Sequence, residues 1–160
     1  MEAFSSQISA IASTYGTDTI FILGKGPSAD EIPAEVYAGS LVIGLNDAER
    51  IYPCDVSVFQ ADWVKRAITD NGTRSRLYLT STDFNPGGKA KVARAPHARL
   101  TQETSDLMIQ RLLSDEIVIE DLLFLTALQV ARVVAATRGR PQTVYMVGFD
   151  FRQGAEGDAA

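Results

Sequence analysis

The sequence has little cysteine, little histidine and no long apolar run. Of its 160 residues, one is cysteine (Cys54) and one is histidine (His97). A lone Cys54 cannot form an internal disulfide, which fits a reducing compartment, and we expect a buried structural thiol rather than a nucleophile. No apolar run approaches the roughly 20 residues of a membrane helix, and no basic region followed by an apolar core opens the chain. We therefore expect a cytoplasmic protein without a signal peptide or a transmembrane segment.

Positive charge is also sparse. Lys and Arg number 15 against 20 Asp and Glu, for a net charge of −5, and only Lys89, Lys91, Arg94 and Arg99 form a small basic cluster. A nucleic-acid-binding protein usually carries a broad basic face, so we expect no nucleic-acid partner. No His, Cys, Asp and Glu set has zinc spacing, and no cofactor fingerprint is complete, so we expect neither a metal nor a cofactor. We expect His97 to be an exposed loop residue, and the catalytic residues remain unassigned.

The chain does contain short apolar runs that alternate with helical patterns. Such runs are typical of strands buried on both faces of a parallel sheet. The alternation predicts right-handed crossovers and a doubly wound, mainly parallel, Rossmann-like α/β sheet with helices on both faces. We assign residues 1–153 to this single domain and 154–160 to a flexible tail cut from a longer protein. The predicted strands are 19–23, 40–45, 55–59, 76–80 and 143–147, with a short one within 90–95, and the predicted helices are 2–15, 63–68, 104–113 and 121–137.

The first predicted strand runs into the turn Gly24-Lys25-Gly26-Pro27-Ser28. The two glycines permit a close backbone approach, Pro27 ends the strand, and Ser28 suits the start of a short helix. A glycine-rich turn between a first strand and a helix is a common seat for a nucleotide or a phosphate. A tight turn without a ligand is the alternative, because the third glycine of the dinucleotide fingerprint and the Gly-Lys-Ser/Thr of a P-loop are both missing.

Polar residues follow three other predicted strands. Because the carboxyl ends of parallel strands meet at one edge of the sheet, we expect these residues to surround the same crevice as the turn. We expect Asp47 and Asp62 to cap helices, with metal binding or acid–base chemistry as the alternative, and Trp63 to pack rather than stack. We expect Asp150 to bind neighbouring turn amides. The residues of the predicted rim are Asn46, Asp47, Gln60, Asp62, Gly148 and Asp150.

These motifs resemble the bacterial sialyltransferases of glycosyltransferase family 42 and the related domains of flagellar motility accessory factors. The family's first turn reads Gly-Asn-Gly-Pro-Ser, its second strand ends in Asn, and its last strand ends in Gly-Ile-Asp-Phe. Here the corresponding residues are the Gly24–Ser28 turn, Asn46 and Gly148-Phe149-Asp150-Phe151. The resemblance runs from about Thr19 to Gln153. Carried over by position, the nucleotide-binding residues are Gly24, Lys25, Gly26, Pro27, Ser28, Asn46 and Thr126.

The resemblance implies a CMP-activated nonulosonic acid, such as sialic acid, as donor, with a glycan or a protein as acceptor. Lys25 replaces the family's asparagine and can pair with a phosphate. Gln60-Ala61-Asp62 stands where the family has asparagine, and Ala127 replaces a glycine. The family's catalytic histidine and lid tyrosines lie beyond the last matched strand, so this chain would be the nucleotide-binding portion of a longer protein or a domain without the chemistry.

Two other functions remain open at this stage. A non-catalytic sugar-nucleotide-binding or scaffolding domain would keep the same fold. A pterin pyrophosphokinase-like enzyme that uses ATP has a similar Gly-x-Gly-Pro-Ser turn, but it would need magnesium and more carboxylates at the rim. An open sheet also leaves edge strands, which permit self-association.

Overall fold

The computed structural model describes residues 4–150, so the predicted tail 154–160 lies outside the described part. A six-stranded parallel sheet forms the centre, with the strand order β5-β4-β3-β2-β1-β8. The first half of the chain contains α1 (Phe4–Ala12), β1 (Thr19–Leu23), α2 (Ser28–Glu31), α3 (Ala34–Tyr37), β2 (Leu41–Leu45), a 3₁₀ helix (Ala48–Arg50), β3 (Cys54–Phe59), α4 (Asp62–Asn71) and β4 (Ser75–Thr80). The second half contains β5 (Lys91–Arg94), β6 (His97–Ala98), α5 (Gln102–Ser105), α6 (Met108–Leu112), β7 (Ile119–Glu120), α7 (Leu123–Arg138) and β8 (Thr143–Val147).

The chain crosses the sheet in one direction from β1 to β5, and α7 then carries it back to β8 on the other side of β1. The direction of winding therefore reverses between β1 and β8. This reversal and the parallel pairing confirm the predicted doubly wound α/β fold. In such a sheet the ligand crevice lies beyond the carboxyl ends of the strands, at the point of reversal.

The four inner strands, β1 to β4, bury side chains on both faces because helices cover both. On one face, α1 and α7 pack over residues such as Ile20, Ile22 and Ile43. The opposite face is divided between a cluster around Phe21 and Tyr37 and a second cluster on α4. The alternation of neighbouring β1 residues between faces is the period of two that strand geometry imposes.

The structure differs from the sequence-based prediction mainly between β5 and α7. The predicted helix 104–113 is two short helices, α5 and α6, separated by Asp106 and Leu107. The two-residue strands β6 and β7 pair in parallel as a separate small sheet, which the sequence analysis missed. None of the helices within residues 4–150 combines the length and the apolar character that a membrane span requires.

Candidate functional site

The glycine turn after β1 packs directly against the turn after β8. The Gly24 amide donates to the Val147 carbonyl (2.8 Å), and the Gly26 amide donates to the Gly148 carbonyl (2.6 Å). A Cβ added to Gly24 would lie 2.6 Å from the Gly148 oxygen, and one added to Gly26 would lie 2.7 Å from it. The two glycines are therefore required for contact between two turns of this chain.

Asp150 closes the point of reversal between β1 and β8. Its carboxylate accepts hydrogen bonds from the Ser28 amide (3.1 Å to each oxygen) and from the Ser28 hydroxyl (2.6 Å). Ser28 begins α2, and Pro27 is its N-cap residue. The expected bond between Asp150 and a turn amide is thus present. Ser28, which the resemblance assigned to a nucleotide, therefore already donates hydrogen bonds to a carboxylate of the same chain.

The Lys25 side chain extends toward the end of β2 and not toward Asp150, which follows β8. Its ammonium lies 2.7 Å from Oδ1 of Asp47, whose other carboxylate oxygen lies 3.4 Å from the Arg50 guanidinium. The prediction that Asp47 caps a helix is wrong: it precedes the 3₁₀ helix, but its side chain makes no cap hydrogen bond. The buried Asp47 carboxylate instead needs cations beside it, since an unpaired buried charge is costly. Lys25, Asp47 and Arg50 line an open depression of about 400 Å³ together with Asp30 and Ile51.

Asn46 and Gln60 end β2 and β3, the next two strands from β1. Asn46 has φ +55°, which makes it the one described residue other than glycine with positive φ. Asparagine tolerates this left-handed conformation better than most residues. Both side chains are half-buried, and within residues 4–150 neither side-chain amide has a hydrogen-bond partner. The carboxyl edge over β1, β2 and β3 therefore carries one ammonium and two amides beside a buried carboxylate.

Asp62 and Trp63 open α4 at this same edge. Asp62 makes no cap hydrogen bond, so the capping prediction is wrong here too; its carboxylate lies 3.3 Å from the Lys65 ammonium one turn later. Trp63, which we expected to pack rather than stack, lies partly at the surface, with 43% of it exposed. Its ring receives the Lys25 ammonium at 4.7 Å from the ring centroid. Lys25 therefore connects the end of β1 to both the β2 and the β3 ends.

Thr126 is not part of this surface. It lies in the first turn of α7, fully buried. Its hydroxyl donates to the Val118 carbonyl (3.0 Å) and accepts from the Glu120 amide (2.8 Å). The hydroxyl thus ties β7 to α7, and the role that the resemblance assigned to it is not supported by its position.

The segment between β5 and α7 holds two acid–base contacts that the sequence analysis missed. His97 lies in β6 with its Nε2 2.5 Å from Oδ1 of Asp121, so the expectation of an exposed loop histidine is wrong. The Leu100 amide donates to the second Asp121 oxygen, and this bond and then the His97 bond hold the pKa of Asp121 below its usual range. Arg111 makes a two-point ion pair with the buried Glu120, at 2.6 and 2.8 Å.

A third buried carboxylate, Glu49, joins the 3₁₀ helix to the sheet. Its Oε1 accepts from the Tyr78 hydroxyl (2.5 Å) and from the Ser75 hydroxyl (2.6 Å). Burial, followed by the bond to Glu49, raises the pKa of Tyr78. Cys54 is buried as expected, and this burial raises the pKa of its thiol. No pattern in the sequence marks Glu49, because its partners come from distant strands.

Within the described residues, no group of three or more His, Cys, Asp or Glu side chains is arranged to hold a metal ion. The structure therefore brings Lys25 to Asp47 and Trp63, leaves Asn46 and Gln60 at the same edge of the sheet, places Ser28 with Asp150, and separates Thr126 from both groups. Comparison with protein-family models, with curated proteins and with solved structures gives no match to this chain.

Proposed function

We propose that this chain is a sugar-nucleotide-binding domain that takes a CMP-activated nonulosonic acid, such as sialic acid, at the carboxyl edge of β1–β3. One observation carries the proposal: three adjacent strands end in Lys25, Asn46 and Gln60 at the edge where such sheets bind ligands, and Lys25 lines an open depression there. The resemblance of the first turn, of Asn46 and of the last strand end to sialyltransferases of glycosyltransferase family 42 supplies the choice of CMP.

The side chains at this edge suit the parts of a nucleotide. The Lys25 ammonium can leave Asp47 for a phosphate, since both are anionic partners of a flexible cation. The amides of Asn46 and Gln60 each offer donors and an acceptor, which match the mixed pattern of a base edge or of ribose hydroxyls. The depression is bordered by Asp47 and Arg50, so a ligand would meet charges of both signs.

The proposed site is displaced from the one that a glycine-rich turn alone would indicate. Gly24 and Gly26 are occupied by backbone contacts to the turn after β8, and Ser28 is occupied by Asp150. A phosphate at Ser28 would have to displace a carboxylate that makes three hydrogen-bond contacts. We therefore place the ligand over Lys25, Asn46 and Gln60.

The proposal concerns binding, and it assigns no catalytic residue. Glycosyl transfer needs a base that removes the proton of the acceptor hydroxyl. The one histidine of the chain, His97, is held by Asp121 in the small second sheet. Binding of the sugar nucleotide is common to a transferase domain and to a non-catalytic one, so a binding experiment tests the shared part first.

Calorimetric titration with CMP, CMP-sialic acid, UDP and ATP with magnesium tests the proposal. We expect cytidine-selective binding that Asn46→Asp weakens at least tenfold, because the variant keeps the left-handed backbone and shape but replaces the amide with a carboxylate. Asn71→Asp makes the same chemical change at the end of α4, near the amino edge of the sheet, and should leave binding unchanged. Selective binding of magnesium ATP, or binding of no nucleotide at all, would contradict the proposal.

A further inference from the structure

Trp63 is exposed where a helix normally buries its large apolar residues. It is the second residue of α4, whose buried residues are Val64 and Ile68. Trp63 itself is 43% exposed and is the only tryptophan of the chain. More than half of the indole is therefore covered by the protein, and the remaining part is accessible to a ligand at the carboxyl edge.

The position of Trp63 places its ring beside the proposed nucleotide site. Helix α4 begins three residues after β3 ends, so its first turn stands at the carboxyl edge of the sheet. The ammonium of Lys25 lies over the ring, 4.7 Å from its centroid, and the same ammonium is 2.7 Å from Asp47. One face of an exposed aromatic ring is thus covered by the cation that we assign to the ligand phosphate.

We infer that Trp63 is the stacking platform for the nucleobase of the bound nucleotide and that Lys25 covers it while the site is empty. This inference rests on the proposed function above. Aromatic rings stack on every base because each base presents a π-face, so Trp63 provides affinity, whereas amides at the strand ends provide selectivity. When a nucleotide binds, its phosphate attracts the Lys25 ammonium away from Asp47 and the ring, and the base takes the uncovered face.

This arrangement separates the contributions of the two side chains. A nucleoside has a base and no phosphate, so its affinity should depend on Trp63 and not on attraction to Lys25. The affinity of a nucleotide should depend on both side chains. Loss of one base–aromatic stack corresponds to a decrease in affinity of about tenfold or more.

The experiment titrates cytidine and CMP into the wild type, Trp63→Leu and Lys25→Met, with calorimetry for all three proteins and tryptophan fluorescence for those that keep Trp63. We expect CMP to change the emission of Trp63 with the same dissociation constant as calorimetry. Trp63→Leu should lower the affinity for cytidine and for CMP alike, by about tenfold or more. Lys25→Met should lower the affinity for CMP and leave that for cytidine unchanged.

Tyr145→Leu is the matched control, because Tyr145 is a half-exposed aromatic residue (52%) on the edge strand β8, away from β3. It should leave both affinities unchanged, and urea unfolding verifies that every variant is folded. If CMP binds without altering Trp63 emission, and Trp63→Leu binds it as tightly as the wild type, the stacking role is wrong while the proposed function stands. If the wild type binds no nucleotide, both are wrong.

Discussion

Replacing Gly148 by alanine should destabilise the fold strongly, because the point of reversal between β1 and β8 leaves no room for a methyl group. Gly148 has φ +81°, and an added Cβ would lie 2.6 Å from the Gly24 carbonyl oxygen and 2.9 Å from the Ala29 Cβ. The left-handed backbone costs an alanine about 1–2 kcal/mol. Forcing an extra methyl group against packed atoms costs about 1–3 kcal/mol more. We therefore expect Gly148→Ala to lower the free energy of unfolding by about 2–5 kcal/mol.

Two matched variants separate these two costs. Gly139, the residue after α7, has φ +72° with nothing within 4 Å of an added Cβ, so Gly139→Ala should show the backbone cost alone. Gly24→Ala meets the Gly148 oxygen at 2.6 Å from the other side and should show mainly the steric cost. Urea unfolding of the three variants measures the differences. If Gly148→Ala costs no more than Gly139→Ala, the close contact between the two turns is not a constraint on the fold.

Three further predictions concern ionisable groups. Arg111→Met should cost about 3–5 kcal/mol because it leaves the buried Glu120 carboxylate unpaired, whereas Arg94→Met, which breaks an exposed pair, should cost about 1 kcal/mol or less in the same urea assay. The Leu100 amide and the His97 imidazole lower the folded pKa of Asp121, so the stability that this carboxylate contributes should be complete above the unfolded pKa of 3.8 and lost as the pH falls through the folded pKa. The difference in unfolding free energy between the wild type and Asp121→Asn should therefore shrink as the pH falls. A difference that stays constant down to strongly acidic pH would contradict this. The buried Cys54 thiol, with its raised pKa, should react with a thiol reagent only on unfolding, so rapid labelling of the native protein would show that the core around it is open.

The sequence predicts the inner strands of the sheet well because they are buried on both faces. A run of consecutive apolar residues, such as Ile20 to Leu23 in β1, can be recognised without knowledge of its neighbours. The edge strand β8 was also recognisable from its apolar run, although most of its side chains are exposed. Helix α7 was recognisable from its wide apolar face and from Gly139, which takes the left-handed conformation at its end. The bond between Asp150 and the first turn also followed from the expectation that the strand ends share one edge.

The remaining features depend on contacts between residues far apart in the chain. The two-residue strands β6 and β7 are too short to show a period, and each exists only because the other pairs with it. Asp47 reads as a helix cap from its local sequence, but its partner Lys25 comes from a different strand end. Thr126 reads as a ligand residue at the start of a helix, but β7 covers it. Local patterns describe possible roles, whereas burial and distant partners decide among them.

The most direct test of the proposed site is an amide chemical-shift titration of the ¹⁵N-labelled chain with CMP. We predict saturable shifts concentrated at Lys25, Asn46, Gln60 and Trp63, with the shift of the Trp63 indole N–H among the largest. The amide of Gly139, which lies between the end of α7 and the start of β8 and so at the opposite edge of the sheet, should not move. Shifts concentrated elsewhere in the chain, or no saturable shift at millimolar CMP, would contradict the claim that the carboxyl edge of β1–β3 is a nucleotide site.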